Sequence, residues 1–296
     1  MAAPRVERVA FDVGGARVVG HLHLPAGPGR APAVVVAGPM TGVKEQVTGV
    51  YAGALARRGF AALAVDHRHF GESGGEPRQY EHHGRKVDDL RAALAELSRR
   101  PEVDPERLGL VGVCLGAGYA AWAAALEPRV RALGAVVGYY RDPGAMRAND
   151  PAGFDAKIAQ GVRARERYEA TGEVLTIPAA ALEGDAAMTT RDTVDYYTAR
   201  AAVPNYRNAF AVMSREHFVP FDVQAAAPRL GVPVAMVHSE AALSPAWARS
   251  FYGALGGPKR IEWLASRGHT DFYDDPGLVG AASDLLAGHL AAHLAG

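Results

Sequence analysis

Hydrophobic and polar positions alternate near the start of the chain and then give way to blocks. Val6-Glu7-Arg8-Val9-Ala10-Phe11 and Val18-Val19-Gly20-His21-Leu22-His23-Leu24 follow the two-residue period of a half-buried sheet. Gly14-Gly15 between them supplies a turn, so Arg5 to Leu24 is predicted to be an antiparallel strand pair. Ala31-Pro32-Ala33-Val34-Val35-Val36-Ala37 is instead a continuous apolar run, as expected of a central parallel strand buried on both faces. Beyond it the pattern interleaves: a helix around Gln46 to Arg58, a strand at Phe60 to Val65, a helix from Lys86 to Arg99, a strand at Leu108 to Val113, and an Ala-rich helix to Ala125. Strands separated by helices of this length imply right-handed crossovers and a parallel sheet.

After a strand at Ala132 to Val137 the character changes. From Arg141 to Leu230 strand-like runs disappear, and aromatic side chains such as Tyr168, Tyr196, Tyr197, Tyr206, Phe210, Phe218 and Phe221 accumulate. This stretch, 141–230, is read as a mostly helical cap inserted after the sixth strand, with 1–140 and 231–296 forming the core. The sheet resumes at Val232 to His238 and ends with a strand near Arg260 to Ala265. A closing helix, capped by Asp274 or Asp275 with Pro276 in its first turn, runs to the C-terminus.

Composition narrows the partners. The chain has 296 residues, 49% of them hydrophobic, enough for one large core carrying a cap. Thirty-two basic residues balance 32 acidic ones and no long basic run follows, which argues against nucleic acid. Met1-Ala2-Ala3-Pro4-Arg5-Val6-Glu7 lacks the apolar core of a signal peptide, and no stretch reaches membrane-spanning length. A single cysteine cannot form an internal disulfide, so a cytoplasmic location is expected. No glycine-rich phosphate loop or metal-ligand cluster calls for a cofactor or a metal. His21 and His23 share a strand face without a third ligand in nearby sequence, and His289 and His293 stand four apart on the final helix without a partner. The composition leaves a homodimer open.

That single cysteine carries the chemistry. Cys114 lies in Leu110-Val111-Gly112-Val113-Cys114-Leu115-Gly116-Ala117-Gly118, where an apolar strand turns into the Ala-rich helix. G-x-S-x-G is the nucleophile elbow, a strained turn that lifts the nucleophile above the sheet; here it reads G-x-C-x-G. Thiolate is the reactive form of cysteine, and a helix N-terminus with a nearby imidazole favours it, so a thiol pKa under the ordinary value of roughly 8.5 is expected. The competing reading is a buried cysteine that packs as a small hydrophobe.

In α/β hydrolases the chain order is nucleophile, acid, histidine. His269, in the polar run Arg267-Gly268-His269-Thr270-Asp271-Phe272-Tyr273 after the last strand, is the candidate base. Glu240 is the only carboxylate in the loop His238-Ser239-Glu240-Ala241-Ala242-Leu243 and is the candidate acid, with Asp66 or Asp271 as substitutes; a structural role suits Asp66 better. An oxyanion hole needs two N–H donors, and Leu115 and Met40 are placed to supply them; Pro39 cannot. Met40 and Thr41 would line the pocket floor, and Tyr139 and Tyr140 the substrate side.

These residues resemble the α/β-hydrolase superfamily over nearly the whole chain. Gly38-Pro39-Met40-Thr41-Gly42-Val43-Lys44-Glu45-Gln46, Asp66-His67-Arg68-His69-Phe70-Gly71-Glu72-Ser73-Gly74-Gly75-Glu76-Pro77-Arg78 and Gly268-His269-Thr270-Asp271-Phe272-Tyr273-Asp274 look like the bacterial dienelactone-hydrolase-like, or polyketide-transferase-like, branch. The resemblance implies a mostly parallel central sheet flanked by helices, and a small-molecule acyl substrate. Dienelactone hydrolases open small lactones with a Cys, Asp, His triad; glutamate in place of aspartate and a larger cap are departures. Three functions follow: hydrolysis of an ester, lactone or thioester; acyl transfer or cyclisation of a biosynthetic intermediate; or a ligand-binding, isomerase or lyase role without an acyl-enzyme.

Overall fold

The computed structural model describes residues 4–295, so Met1, Ala2 and Ala3, on which the signal-peptide reading partly rests, and Gly296 lie outside it. Arg5–Val13 (β1) and Ala16–Leu24 (β2) pair antiparallel, with Val13 opposite Ala16 across Gly14-Gly15. Ala31–Ala37 (β3), Ala61–Asp66 (β4), Val103–Val113 (β5) and Val130–Val136 (β6) follow, then the short Thr176–Ile177 (β7) and Phe210–Ala211 (β8), and finally Val234–His238 (β9) and Lys259–Trp263 (β10). Eight of these make one sheet in the order β1-β2-β4-β3-β5-β6-β9-β10, parallel from β4 onward. The apolar run at β3 sits at its centre, where Val34, Val35 and Val36 are fully buried. Each such side chain stabilises the fold by roughly 1.5–3 kcal/mol.

Between the strands run Val47–Ala56 (α1), His83–Ser98 (α2) and Gly116–Leu126 (α3). The sheet's insertion holds Pro143–Asn149 (α4), Pro151–Thr171 (α5), Arg191–Asp195 (α6) and Arg215–Phe218 (α7), and the chain closes with Pro245–Ala254 (α8), Asp271–Asp274 (α9) and Pro276–His293 (α10). α1 and α10 pack together on one face of the sheet, α2 and α3 on the other. Among the described residues no helix is long and apolar enough to cross a membrane.

Local sequence explains the insertion's start. Asp142-Pro143 and Asp150-Pro151 each place an aspartate at a helix N-cap, accepting from Ala145 and Gly153, with proline in the first turn. The segment is not purely helical, because β7 and β8 pair antiparallel within it. At the C-terminal helix the cap is Asp275, whose carboxylate accepts from Gly277 and Leu278. β5 also begins earlier than Leu108, since Val103 already pairs with Ala31 before a register shift.

Candidate active site

β5 delivers Cys114 to the carboxyl edge of the sheet in a left-handed conformation, φ 55°, which an L residue adopts only at a cost. Its amide donates to Val136, and its carbonyl accepts from Ala117 and Tyr139, fixing the turn against β6. Glycine is obligatory beside it. A Cβ on Gly116 would lie 2.1 Å from the Ala37 carbonyl oxygen, and one on Gly112 2.4 Å from the Ala117 Cα. The G-x-C-x-G run is therefore dictated by backbone crowding at this elbow.

Cys114 is 8% exposed and lines a cavity of about 190 Å³ with Met40, Leu115, Tyr139, His269 and Tyr273. The sequence singled out the first four of these companions but not Tyr273. α9 carries that tyrosine one turn beyond His269, a spacing of four visible in the run Gly268 to Tyr273. Its hydroxyl is 3.1 Å from His269 Nε2 and near enough to the Cys114 sulfur to favour its thiolate. Tyr273 thus stands between the imidazole and the thiol.

His269 is buried and held from both sides. Its Nδ1 faces the backbone amide of Leu243 at 3.3 Å, while its own amide donates to Asp192 Oδ2 at 3.0 Å, with Thr270 donating to the same oxygen. Asp192 belongs to α6, so the insertion is tied directly to the histidine loop. Burial pulls the His269 pKa down to about 3 despite the nearby Asp192 carboxylate.

The thiol departs from the sequence expectation. Burial pushes Cys114 up to about 11, outweighing the contacts from Tyr273 and the Leu115 amide, which favour the thiolate. The resting site accordingly holds a thiol and a neutral imidazole, not an ion pair.

Glu240 is not brought to the histidine. Its side chain is 66% exposed and pairs with Arg249. The reason is local: the loop after β9 turns so that the amide of Leu243, rather than a side chain, reaches Nδ1. Asp66 is buried against Lys44 and the Glu72 amide, and Asp271 pairs with Arg267; neither contacts the imidazole. Thr41 is buried and does not line the cavity as expected, because its amide turns to donate to Glu81 at 2.9 Å. Glu81 is itself buried, accepts from Tyr119 at 2.6 Å and pairs with Lys86. It holds the turn that carries Met40, a role the sequence pattern did not flag. Tyr140 is fully buried on Phe251, with ring centroids 4.3 Å apart, and does not line the cavity.

One cluster has metal-ligand character: His21, Glu45 and Glu72 converge within 4.8 Å. The Lys44 ammonium sits among their carboxylates, 2.7 Å from Glu45 and 2.6 Å from Glu72, and supplies the positive charge a cation would bring. His23 is not part of this cluster. His289 and His293 meet each other on α10, at 4.7 Å between rings.

Comparison with known proteins agrees with this architecture. The model of the dienelactone hydrolase family matches residues 18–162. An uncharacterised protein of Pseudomonas aeruginosa is 31% identical over 300 residues, 95% of this chain and 78% of that protein. The crystal structure of that same Pseudomonas protein superposes with a TM-score of 0.85 at 28% identity, covering 99% of this chain and 95% of that one. Over shorter stretches the chain is similar to thiohydrolase aneE of Aspergillus aculeatus, 36% identical over 121 residues, 41% of this chain and 37% of that protein. It is likewise 36% identical to polyketide transferase claH of Penicillium crustosum over 131 residues, 43% of this chain and 42% of that protein. Taking the elbow, the parallel sheet and these matches together, the chain belongs to the dienelactone hydrolase family of α/β hydrolases.

Proposed function

We propose that the protein cleaves an ester, lactone or thioester of a small acyl substrate through a thioester on Cys114. The observation that carries this reading is the strained cysteine at the elbow, facing a cavity shared with Tyr273 and His269. In the first step the sulfur bonds to the substrate carbonyl carbon, and its proton leaves through the Tyr273 hydroxyl toward His269. Negative charge on the carbonyl oxygen would be met by the amides of Met40 and Leu115. Collapse expels the alkoxide or thiolate, which takes the proton back from the imidazole. Water then attacks the thioester, releasing the acid and restoring the thiol. Because the Leu243 amide donates to Nδ1 at rest, the first step requires the Nε2 proton to pass through solvent to Nδ1, with the Leu243 contact opening, before Nε2 accepts the proton from Tyr273.

Met40, Leu115, Met188, Phe218 and Leu243 make the cavity wall largely apolar, which supports an apolar acyl portion. Acyl transfer or cyclisation is the second reading. The thioester intermediate favours it, because amines compete with water for a thioester, and so does the likeness to a polyketide transferase.

Intact mass spectrometry after brief exposure to 4-nitrophenyl acetate and to an acyl-N-acetylcysteamine thioester tests the proposal. An acyl adduct on wild type, absent from Cys114→Ala and released by water, supports hydrolysis; one that persists until an amine is added supports transfer. Turnover that survives Cys114→Ala overturns both.

A further inference from the structure

Four cationic side chains are buried among the described residues: Lys44, Lys86, Arg141 and Arg215. Three of them have a carboxylate: Asp66 for Lys44, Glu81 for Lys86 and Asp185 for Arg215. Arg141 has none. It is 3% exposed, yet only the Val219 carbonyl accepts from its guanidinium, at 3.0 Å from Nη2, and its buried Nε has no acceptor. Leaving a charge buried without a counter-ion costs several kcal/mol, so an isolated guanidinium here requires another explanation than packing.

Its position offers one. Arg141 follows the Tyr139 that bonds the Cys114 carbonyl, and it lines the cavity over Cys114 and also a second cavity, of about 320 Å³, beneath α4 and α5. Tyr139, Ala187 and Phe218 are common to both walls, which makes the two spaces neighbours. The guanidinium lies 4.4 Å from the Phe218 ring centre and 5.7 Å from that of Tyr139, a flanking that holds its plane while Nη2 alone is engaged, by the Val219 carbonyl. Lys157 and Asp150 also line the second cavity, as does Arg215, which is paired with Asp185.

We infer that Arg141 binds a carboxylate carried by the acyl chain of the substrate, at the junction of the two cavities. The substrate is then an amphiphile: a reactive carbonyl at Cys114, an apolar stem along Met40, Leu115 and Phe218, and an anionic end on the guanidinium. A planar carboxylate matches the arginine fork, and the water-poor setting strengthens the pairing. This inference rests on the acyl-substrate reading above.

The test compares 4-nitrophenyl hemi-esters of succinic, glutaric and adipic acid with the neutral butanoate, pentanoate and hexanoate esters, after subtraction of uncatalysed hydrolysis. Wild type is expected to prefer the anionic partner of at least one pair in kcat/KM by about tenfold or more, as a charge-assisted hydrogen bond allows. Arg141→Met should lower the anionic rate by about tenfold more than the neutral rate, and Arg141→Lys should fall between. No preference at any chain length, or an equal loss on both substrates, overturns the inference. Should Arg141→Met not fold, Arg141→Lys alone must still shrink the preference. If wild type turns over neither series, the acyl reading fails, and calorimetry decides the anion site separately. Monomethyl glutarate must then bind Cys114→Ala more tightly than methyl pentanoate and lose that advantage when Arg141→Met is added; equal affinities, or no binding of the anion, overturn it.

Discussion

The backbone amide of Leu243 lies 3.3 Å from Nδ1 of His269, on the side of the ring where a catalytic carboxylate would accept. An amide can only donate, so Nδ1 is the acceptor and the neutral imidazole keeps its proton on Nε2, directed at the Tyr273 oxygen. The tyrosine hydroxyl is left to donate to the Cys114 sulfur.

The tautomer can be read directly. Long-range proton–nitrogen NMR of the free protein should find His269 in the Nε2–H form and without a titration between pH 8 and pH 5, because burial holds its pKa near 3. A protonated Nδ1 in the free protein, or a midpoint near 6.5, contradicts the arrangement.

Tyr273→Phe removes one donor to the sulfur and the only link between thiol and imidazole described above. Losing a hydrogen bond to a developing thiolate is worth about 1.5–3 kcal/mol. Alkylation by iodoacetamide at pH 8 should therefore slow about tenfold, and acyl-enzyme formation should slow by at least as much. If phenylalanine leaves both rates intact, Tyr273 is a packing residue.

Alkylation of wild type carries its own signature. With the thiol pushed up to about 11, the thiolate fraction grows about tenfold per pH unit below that value. The logarithm of the rate should climb with unit slope from pH 7 to pH 10. A plateau beginning below pH 9 would mean that the thiol is activated in the resting state.

The parts that could be read from sequence share a cause. β3, β4 and the elbow are buried on both faces or crowded by backbone, so composition alone marks Val34-Val35-Val36 and Gly112-Val113-Cys114-Leu115-Gly116. His269 was legible because it follows the last strand. Glu240 misled because the loop pattern shows which carboxylate is present but not which way a side chain turns; the geometry sends it to Arg249. Asp192 and Arg141 were illegible for another reason. They lie in or next to the insertion, where helix packing erases the periodic signal, and their partners are distant in sequence: His269 for one and Val219 for the other.

That difference separates the two carboxylates, Glu240 and Asp192, experimentally. Glu240→Gln changes an exposed surface pair of little net worth, and kcat/KM should fall by less than about threefold. Asp192→Ala strips the acceptor from the amides of His269 and Thr270. It should cost about 1–3 kcal/mol of stability and, by loosening the histidine loop, lower kcat more than it raises KM. A large loss from Glu240→Gln with Asp192→Ala unaffected would reinstate the glutamate as the acid.

Acid should unfold the protein through its buried histidines. His269 has a folded pKa of about 3 against 6.5 when unfolded; a depressed value means that the unfolded chain takes up the proton first. Stability is then fully present above 6.5 and drains away as pH falls from 6.5 toward 3. At pH 5 this one residue has lost about 2 kcal/mol relative to pH 7. His82, His69 and His289 are lowered by burial in the same direction, to about 3, 4 and 4, and add to the slope. Denaturant titrations at pH 7 and pH 5 measure the sum, and His269→Gln should recover about 2 kcal/mol of the difference between them. An unchanged difference in that variant would mean that His269 is protonated, or solvated, in the folded protein at pH 5.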